Sequence, residues 1–302
     1  MPALRKFVLM KQLILLFSTC LFLLSCEKNI NFDLNGATAL LVVDAQIENG
    51  QAPTVALSKS LDYFGAISPQ ILAASFVHNA EVTMSNGTLT HTLKEYTVPL
   101  GNGYSLYYYG IDSANLATAF AGEFGKQYNL TIKAEGQTYT ATTTIPLLTK
   151  VFDSIWTKTP PPPTDTSKRA LWARATDPPG LGNYVRYYTK KNSERFLPGL
   201  NSVFNDEVID GTTYSAQVDQ GIDRNLPLPT GDDKFFSRGD TIYFKLSNID
   251  KASYTFWNTW EFNQQSIGNP FSQPGKVLGN ISNGALGAFC GYASKTGMVI
   301  AR

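Results

Sequence analysis

Apolar and polar residues alternate with a period of two along much of the chain. The clearest run is Gln137–Ile145, where Tyr139, Ala141, Thr143 and Ile145 alternate with Thr138, Thr140, Thr142 and Thr144. That period puts alternate side chains on opposite faces of a strand, so one face is expected to be buried and the other to be a threonine-coated solvent face. Tyr128–Glu135 precedes this run across Glu135-Gly136. Glu81–Ser85 and Thr88–Tyr96 flank Asn86-Gly87, the strongest short-range hairpin signal. Leu40–Ile47 and Thr54–Lys59 form a further pair across Asn49-Gly50, and Tyr104–Tyr109 follows Gly101-Asn102-Gly103. These seven short strands, closed by Pro146, predict an immunoglobulin-like β-sandwich over residues 40–146.

Residues 147–302 are expected to form a second, C-terminal β domain. Pro160–Pro163 is a stiff extended loop, because proline cannot donate to a sheet. Strands are predicted at Leu171–Thr176, Tyr184–Lys190, Tyr214–Val218, Thr241–Leu246 and around Met298–Ala301, with the long polar loop Asp219–Asp240 between two of them. Loops of that length in a compact domain are commonly functional. The one helix runs over about 250–265, with Asp250 as N-cap, Ile249, Ala252, Phe256 and Trp260 on one face, and Tyr254 and Trp257 widening that face. The fold class is therefore mostly β, two sandwich domains with one helix inserted in the second.

The front of the chain departs from this pattern. Arg5, Lys6 and Lys11 precede an apolar run from Leu13 to Leu24, and then come Ser25-Cys26-Glu27-Lys28. The run is too short and wrongly flanked for a membrane span, and it reads as a signal peptide over 1–25. An aliphatic residue at −3, a small residue at −1 and cysteine at +1 form a lipobox. Cys26 is expected to be the lipid-attachment residue, with acyl chains such as palmitate, and 26–39 a lipidated tether. Cys20 follows threonine inside the apolar run and is the poorer site. Glu27 stands where aspartate would favour inner-membrane retention.

Composition narrows the function. The chain has 302 residues with 25 basic and 24 acidic side chains, and losing the leader's three basic residues leaves no electrostatic case for nucleic acid. With Cys20 removed and Cys26 acylated, Cys290 has no partner for an intramolecular disulfide. His78 and His91 lack ligand-spaced companions, so no His- or Cys-based metal site is expected. Gly103-Tyr104-Ser105-Leu106-Tyr107 lacks the final glycine of a nucleophile elbow. Asp206, Glu207 and Asp210, and again Asp232 and Asp233, read as solvated loop charge, and Cys290 as a buried structural thiol. No catalytic residue, metal or cofactor is assigned. Aromatic side chains are the more promising material: Tyr104, Tyr107, Tyr108 and Tyr109 crowd one strand, and Trp156, Trp172, Trp257 and Trp260 lie in the second half. Exposed members could stack on sugars or anchor a protein.

The chain resembles the domain-of-unknown-function 4249 family of Bacteroidota outer-membrane lipoproteins. The likeness rests on Ser25-Cys26-Glu27-Lys28 with Asp33, the run ending at Pro146, Asp177-Pro178-Pro179-Gly180 with Asn183-Tyr184, and Gly239-Asp240-Thr241. It rests equally on Asn248-Ile249-Asp250-Lys251, Asn269-Pro270-Phe271 and Asn280–Phe289. The resemblance implies an outer-membrane lipoprotein encoded beside TonB-dependent transporters, and it carries over no catalytic residue. Asp112-Ser113-Ala114, Asp153-Ser154-Ile155 and Asp240-Thr241-Ile242 look like O-glycosylation acceptors of that phylum. Three functions follow as expectations: a non-catalytic accessory to a TonB-dependent transporter or other surface complex, a glycan- or peptide-binding lipoprotein using loops Asp62–Asn79 and Asp219–Asp240, or a carboxylate-dependent hydrolase.

Overall fold

The hairpins written into the sequence form where the turn residues place them. In the computed structural model, which describes residues 39–61, 68–101, 103–162, 164–267 and 275–302, β1 (Leu41–Glu48) pairs antiparallel with β2 (Thr54–Lys59). β3 (Glu81–Ser85) pairs with β4 (Thr90–Gly101), β4 with β5 (Tyr104–Ile111), and β6 (Gln127–Ala134) with β7 (Gln137–Thr144). Glu135 and Gly136 take φ of 51° and 75°, the left-handed pair that a two-residue hairpin requires. A short helix α1 (Pro69–Ala74), capped by Ser68, lies between β2 and β3. The leader, Cys26, nearly all of the tether and Asn269-Pro270-Phe271 lie outside the described residues.

The second half supplies β8 (Val151–Lys158), β9 (Lys168–Thr176), β10 (Tyr184–Lys191), β11 (Leu197–Phe204), β12 (Thr213–Val218), β13 (Phe236–Ser237), β14 (Thr241–Ile249), α2 (Lys251–Ser266) and β15 (Leu286–Ile300). The protein is mostly β, as the alternation requires. Strands from both sides of Pro146 share one eleven-stranded sheet, in the order β11-β10-β14-β15-β1-β2-β5-β4-β3-β6-β7. A smaller sheet holds β8, β9, β12 and β13. β15 is the link: Leu286–Tyr292 runs parallel to β1, and Tyr292–Ile300 runs antiparallel to β14. Residues 39–302 form one compact unit.

Two sandwich-like cores result. The first is lined by β1–β7 residues such as Val43, Val82, Leu93, Leu130 and Ala141, and takes Phe289 and Ala293 from β15. The second lies between the small sheet and the strands β10 and β14, with Leu171 and Phe236 on one side and Ile242 and Phe244 on the other. Burying one such aliphatic side chain contributes about 2 kcal/mol, so the alternation itself is the main source of stability.

β7 and β15, seven strands apart along the sheet, come back together, and side chains stitch the seam. Asn280 donates to Thr142 O at 3.2 Å and to Phe289 O at 2.8 Å, and accepts from Phe289 N at 2.8 Å. Ser282 N donates to Thr140 O at 2.8 Å, and Thr140 N to Ser282 Oγ at 2.7 Å. On β15 neighbouring main chain leaves no room for a Cβ at two places: one at Gly291 would stand 2.6 Å from Thr144 O, and one at Gly287, whose φ is +91°, would stand 2.0 Å from Val43 O. Gly287→Ala is therefore expected to lower the unfolding free energy by more than ~2 kcal/mol, from left-handed backbone strain plus a main-chain clash. Gly136→Ala, with similar φ but open space around it, should cost about half that. Urea unfolding of the two variants side by side checks this, and equal losses would contradict it.

The packed face of α2 carries most of the expected stripe: Ile249 is buried, and Tyr254, Phe256 and Trp257 pack with it against Val203, Cys290 and Tyr292. Ala252 is exposed, while Ser253 and Glu261 on the same helix are buried.

Candidate functional site

The outer face of the small sheet carries a row of three side chains. Trp156 is directly opposite Trp172, and Trp172 directly opposite Gln217. Opposed residues point the same way, and since Leu171 and Val218 beside them turn toward the second core, this row turns to solvent. The two indoles stack with 6.4 Å between centroids and 22° between planes, and the Lys158 ammonium lies 4.4 Å over Trp172. Gln217 also borders a groove of about 380 Å³ lined by Leu200, Ile222, Leu228, Lys234 and Phe235. The groove is built by the Asp219–Asp240 loop that its length singled out. An aromatic ledge running into an apolar groove with amide and charged groups at the rim suits the C–H face and hydroxyls of a sugar, or an extended peptide.

The loop Asp62–Asn79 gives a different surface. Residues 62–67 lie outside the described residues, but Ala74 and Phe76–Asn79 line a hollow of about 500 Å³ with Lys59, Lys133 and Glu135. Its rim is charged and internally paired: Lys59 with Glu135, and Lys133 with Glu81 at 2.9 Å. His78 Nδ1 is 2.5 Å from Glu95 Oε1, and its ring meets Tyr107 edge-on at 4.4 Å. Burial pushes the Glu95 carboxyl up, but the His78 contact, the Asn79 N–H and the Tyr109 hydroxyl outweigh it and hold the group below its ordinary value. Tyr107 packs on Phe76 and Tyr108 stacks on Tyr96, both half-buried, while Tyr109 is in the core.

The carboxylates divide. Glu207 and Asp210 are exposed as expected, but Asp206 is 1% exposed, which corrects its reading as solvated charge. It accepts from Gly182 N at 3.1 Å and Asn183 N at 2.9 Å, fastening the Asp177–Asn183 turn. Burial raises its carboxyl, yet these N–H groups and the Asn183 amide prevail and keep it below the ordinary range. Oxygens of Asp177, Asp206 and Asp210 lie within 4.8 Å of one another, and the Lys150 ammonium, 2.5 Å from Asp177 Oδ1, supplies positive charge there. Asp232 and Asp233 join no such group among the described residues, and Asp232 instead accepts from Asp165 N at 2.9 Å.

The remaining candidates are committed to the fold. Cys290 is buried, which pushes its thiol up to about 11, so it is protonated and unreactive at neutral pH. His91 is buried too; Nδ1 is 2.8 Å from Thr118 Oγ1, and Nε2 accepts from Asp112 N at 3.0 Å. Ser113 and Ser154 are exposed, while Thr241 N donates to Asn192 Oδ1 at 2.9 Å where β14 begins. Sequence reasoning missed a buried network beneath α2. Glu261 accepts from Ser202 N at 2.9 Å and from Ser202 Oγ, and Arg224 lies 3.7 Å from it. Arg186 donates to Ser202 Oγ at 3.0 Å with its guanidinium 3.4 Å over Trp257, whose indole N–H donates to Tyr292 Oη at 2.9 Å. Arg186 and Glu261 interrupting otherwise apolar or aromatic runs were the only available signal.

Fold and surface together define a mostly β protein with an aromatic-edged groove on its smaller sheet. No helix among the described residues is long and apolar enough to cross a membrane. The chain belongs to the family described as Domain of unknown function (DUF4249), whose profile matches residues 27–297. No curated protein matches it.

Proposed function

We propose that this protein is a non-catalytic lipoprotein of the outer membrane, held by acyl chains on Cys26 and serving as an accessory to a TonB-dependent transporter or another surface complex. The observation that carries this reading is the lipobox ending at Cys26, directly before the family region that begins at residue 27. In support, the side chains with most chemical potential are tied up: Cys290 is buried, His91 is bonded through both ring nitrogens, and Asp206 braces a turn. A second reading is favoured by the Trp156–Trp172–Gln217 row and its groove, namely capture of a glycan or peptide at the cell surface.

One experiment separates them. A C-terminally tagged chain is recovered from native outer membranes in mild detergent and its companions are identified by mass spectrometry. A stoichiometric TonB-dependent barrel is expected, and Cys26→Ser should release the chain into the soluble fraction. Recovery of the protein alone would defeat the accessory reading and move the question to glycan binding by wild type and Trp172→Ala. Membrane retention of Cys26→Ser would defeat the anchor.

A further inference from the structure

Lys150 and Asp177 form the only ion pair among the described residues in which both side chains are wholly removed from water, at 0% exposure each. The ladder puts them opposite one another. Val151 pairs with Thr176 where β8 meets β9, and Lys150 and Asp177 are the next residues on either strand. Their backbones are clamped: Lys150 N donates to Asn248 Oδ1 at 2.9 Å, Asn248 Nδ2 donates to Lys150 O at 2.8 Å, and Asp177 N donates to Thr212 O at 2.9 Å. Nζ lies 2.5 Å from Oδ1, and the Tyr214 ring stands 5.6 Å from Nζ.

A buried ion pair repays its desolvation only when its spare protons and lone pairs find further hydrogen bonds. This pair has none. Nζ and both carboxylate oxygens lack any hydrogen-bond partner, although Asn248, Asp206 and Thr212 hold the backbone and the adjoining turn tightly. The arrangement is poor for a permanent salt bridge and well suited to a reaction between the two groups, which are fixed in contact and shielded from water.

We propose that Lys150 and Asp177 are joined by an intramolecular isopeptide bond between Nζ and Cγ. The ammonium passes a proton to the carboxylate across their contact, leaving an amine and a carboxylic acid. The Nζ lone pair attacks Cγ. A carbon–nitrogen bond forms, the carbon–hydroxyl bond breaks, and the hydroxyl leaves as water with one proton from nitrogen. The amide keeps one N–H. No oxidation state changes, so neither cofactor nor co-reactant is needed. The product replaces two buried charges with one neutral amide and fastens the start of β8 to the end of β9 covalently.

The test is a tryptic digest of the purified full chain read by tandem mass spectrometry. Acylation blocks cleavage after Lys150, so residues 134–158 and 175–186 should appear as one branched species, lighter by one water than the two peptides together. The water loss has no competing explanation at Asp177, because Pro178 has no backbone N–H on which the aspartate could close a succinimide. Lys150→Arg keeps the charge but lacks the amine, and should yield residues 134–150, 151–158 and 175–186 as separate peptides at full mass. Recovery from wild type of a peptide ending at Lys150 together with an unmodified 175–186 peptide would overturn the proposal, and that result does not depend on any variant folding.

Discussion

Asp250→Ala is expected to lose about 4 kcal/mol of folding stability, among the largest effects of any single side chain here, because one carboxylate closes two structures at once. Its Oδ1 accepts from Ser253 N at 2.8 Å as the N-cap of α2. Its Oδ2 accepts from Thr144 N and Thr143 Oγ1, each at 2.9 Å, at the end of β7. Loss of an N-cap costs about 1 kcal/mol, and each donor left unpaired in a buried place costs about 1–3 kcal/mol. Thr143 is 1% exposed, so water cannot substitute for the lost acceptor. Asp250→Asn keeps one acceptor oxygen and should retain more stability than alanine. Chemical denaturation followed by circular dichroism measures both, and an alanine variant within ~1 kcal/mol of wild type would show that the seam between β7 and β15 does not depend on this residue.

That seam also explains which parts of the structure could be read from the sequence. The β3–β4 and β6–β7 hairpins were legible because their turns are local: Asn86-Gly87 and Glu135-Gly136 each specify a reversal within four residues. β15 was not. Gly287, Gly291 and Gly297 interrupt its alternation, and the first two are glycine because distant main-chain oxygens, Val43 O and Thr144 O, leave no space for a side chain. A sequence read locally registers those glycines as loop, and predicts only the end of the strand around Met298–Ala301. Asn248, Asp250 and Asn280 were recognisable as family motif residues without a role; each uses a side-chain amide or carboxylate to replace ladder hydrogen bonds where the backbone cannot pair.

The candidate site was legible to a similar degree and for the same reason. The Asp219–Asp240 loop announced itself by length, and the tryptophans by type, but their alignment with Gln217 depends on the β8–β9–β12 register. Lys150 sat in an unremarkable lead-in to the second half and Asp177 in a turn. Only pairing across 27 positions of chain makes them neighbours, and only their burial makes the contact chemically consequential.

Glu261→Ala is the substitution expected to damage the fold most. Ser202 N at 2.9 Å and Ser202 Oγ bond this carboxylate directly, Arg186 depends on it through Ser202, and the Arg224 guanidinium lies 3.7 Å away while also donating to Gly199 O at 3.0 Å and Leu200 O at 2.9 Å. The Glu261 side chain is 4% exposed, and Arg186 as a residue is 3% exposed. Removing one partner from a buried charged network strands the others, at about 3–5 kcal/mol, far more than the intact network contributes by existing. Glu261→Gln preserves shape and one acceptor but removes the charge that faces two arginines, so it should fall between wild type and alanine. The signal is local as well as global, because Arg186 lies over Trp257 and Arg224 over Trp260 at 4.9 Å. Release of α2 from β11 would expose both indoles, so alanine should red-shift the tryptophan emission at denaturant concentrations where the circular dichroism of the sheets is still native. A variant that loses stability only in step with the whole sheet would instead mean that α2 and the strands unfold as one unit, with Glu261 holding the entire second half together.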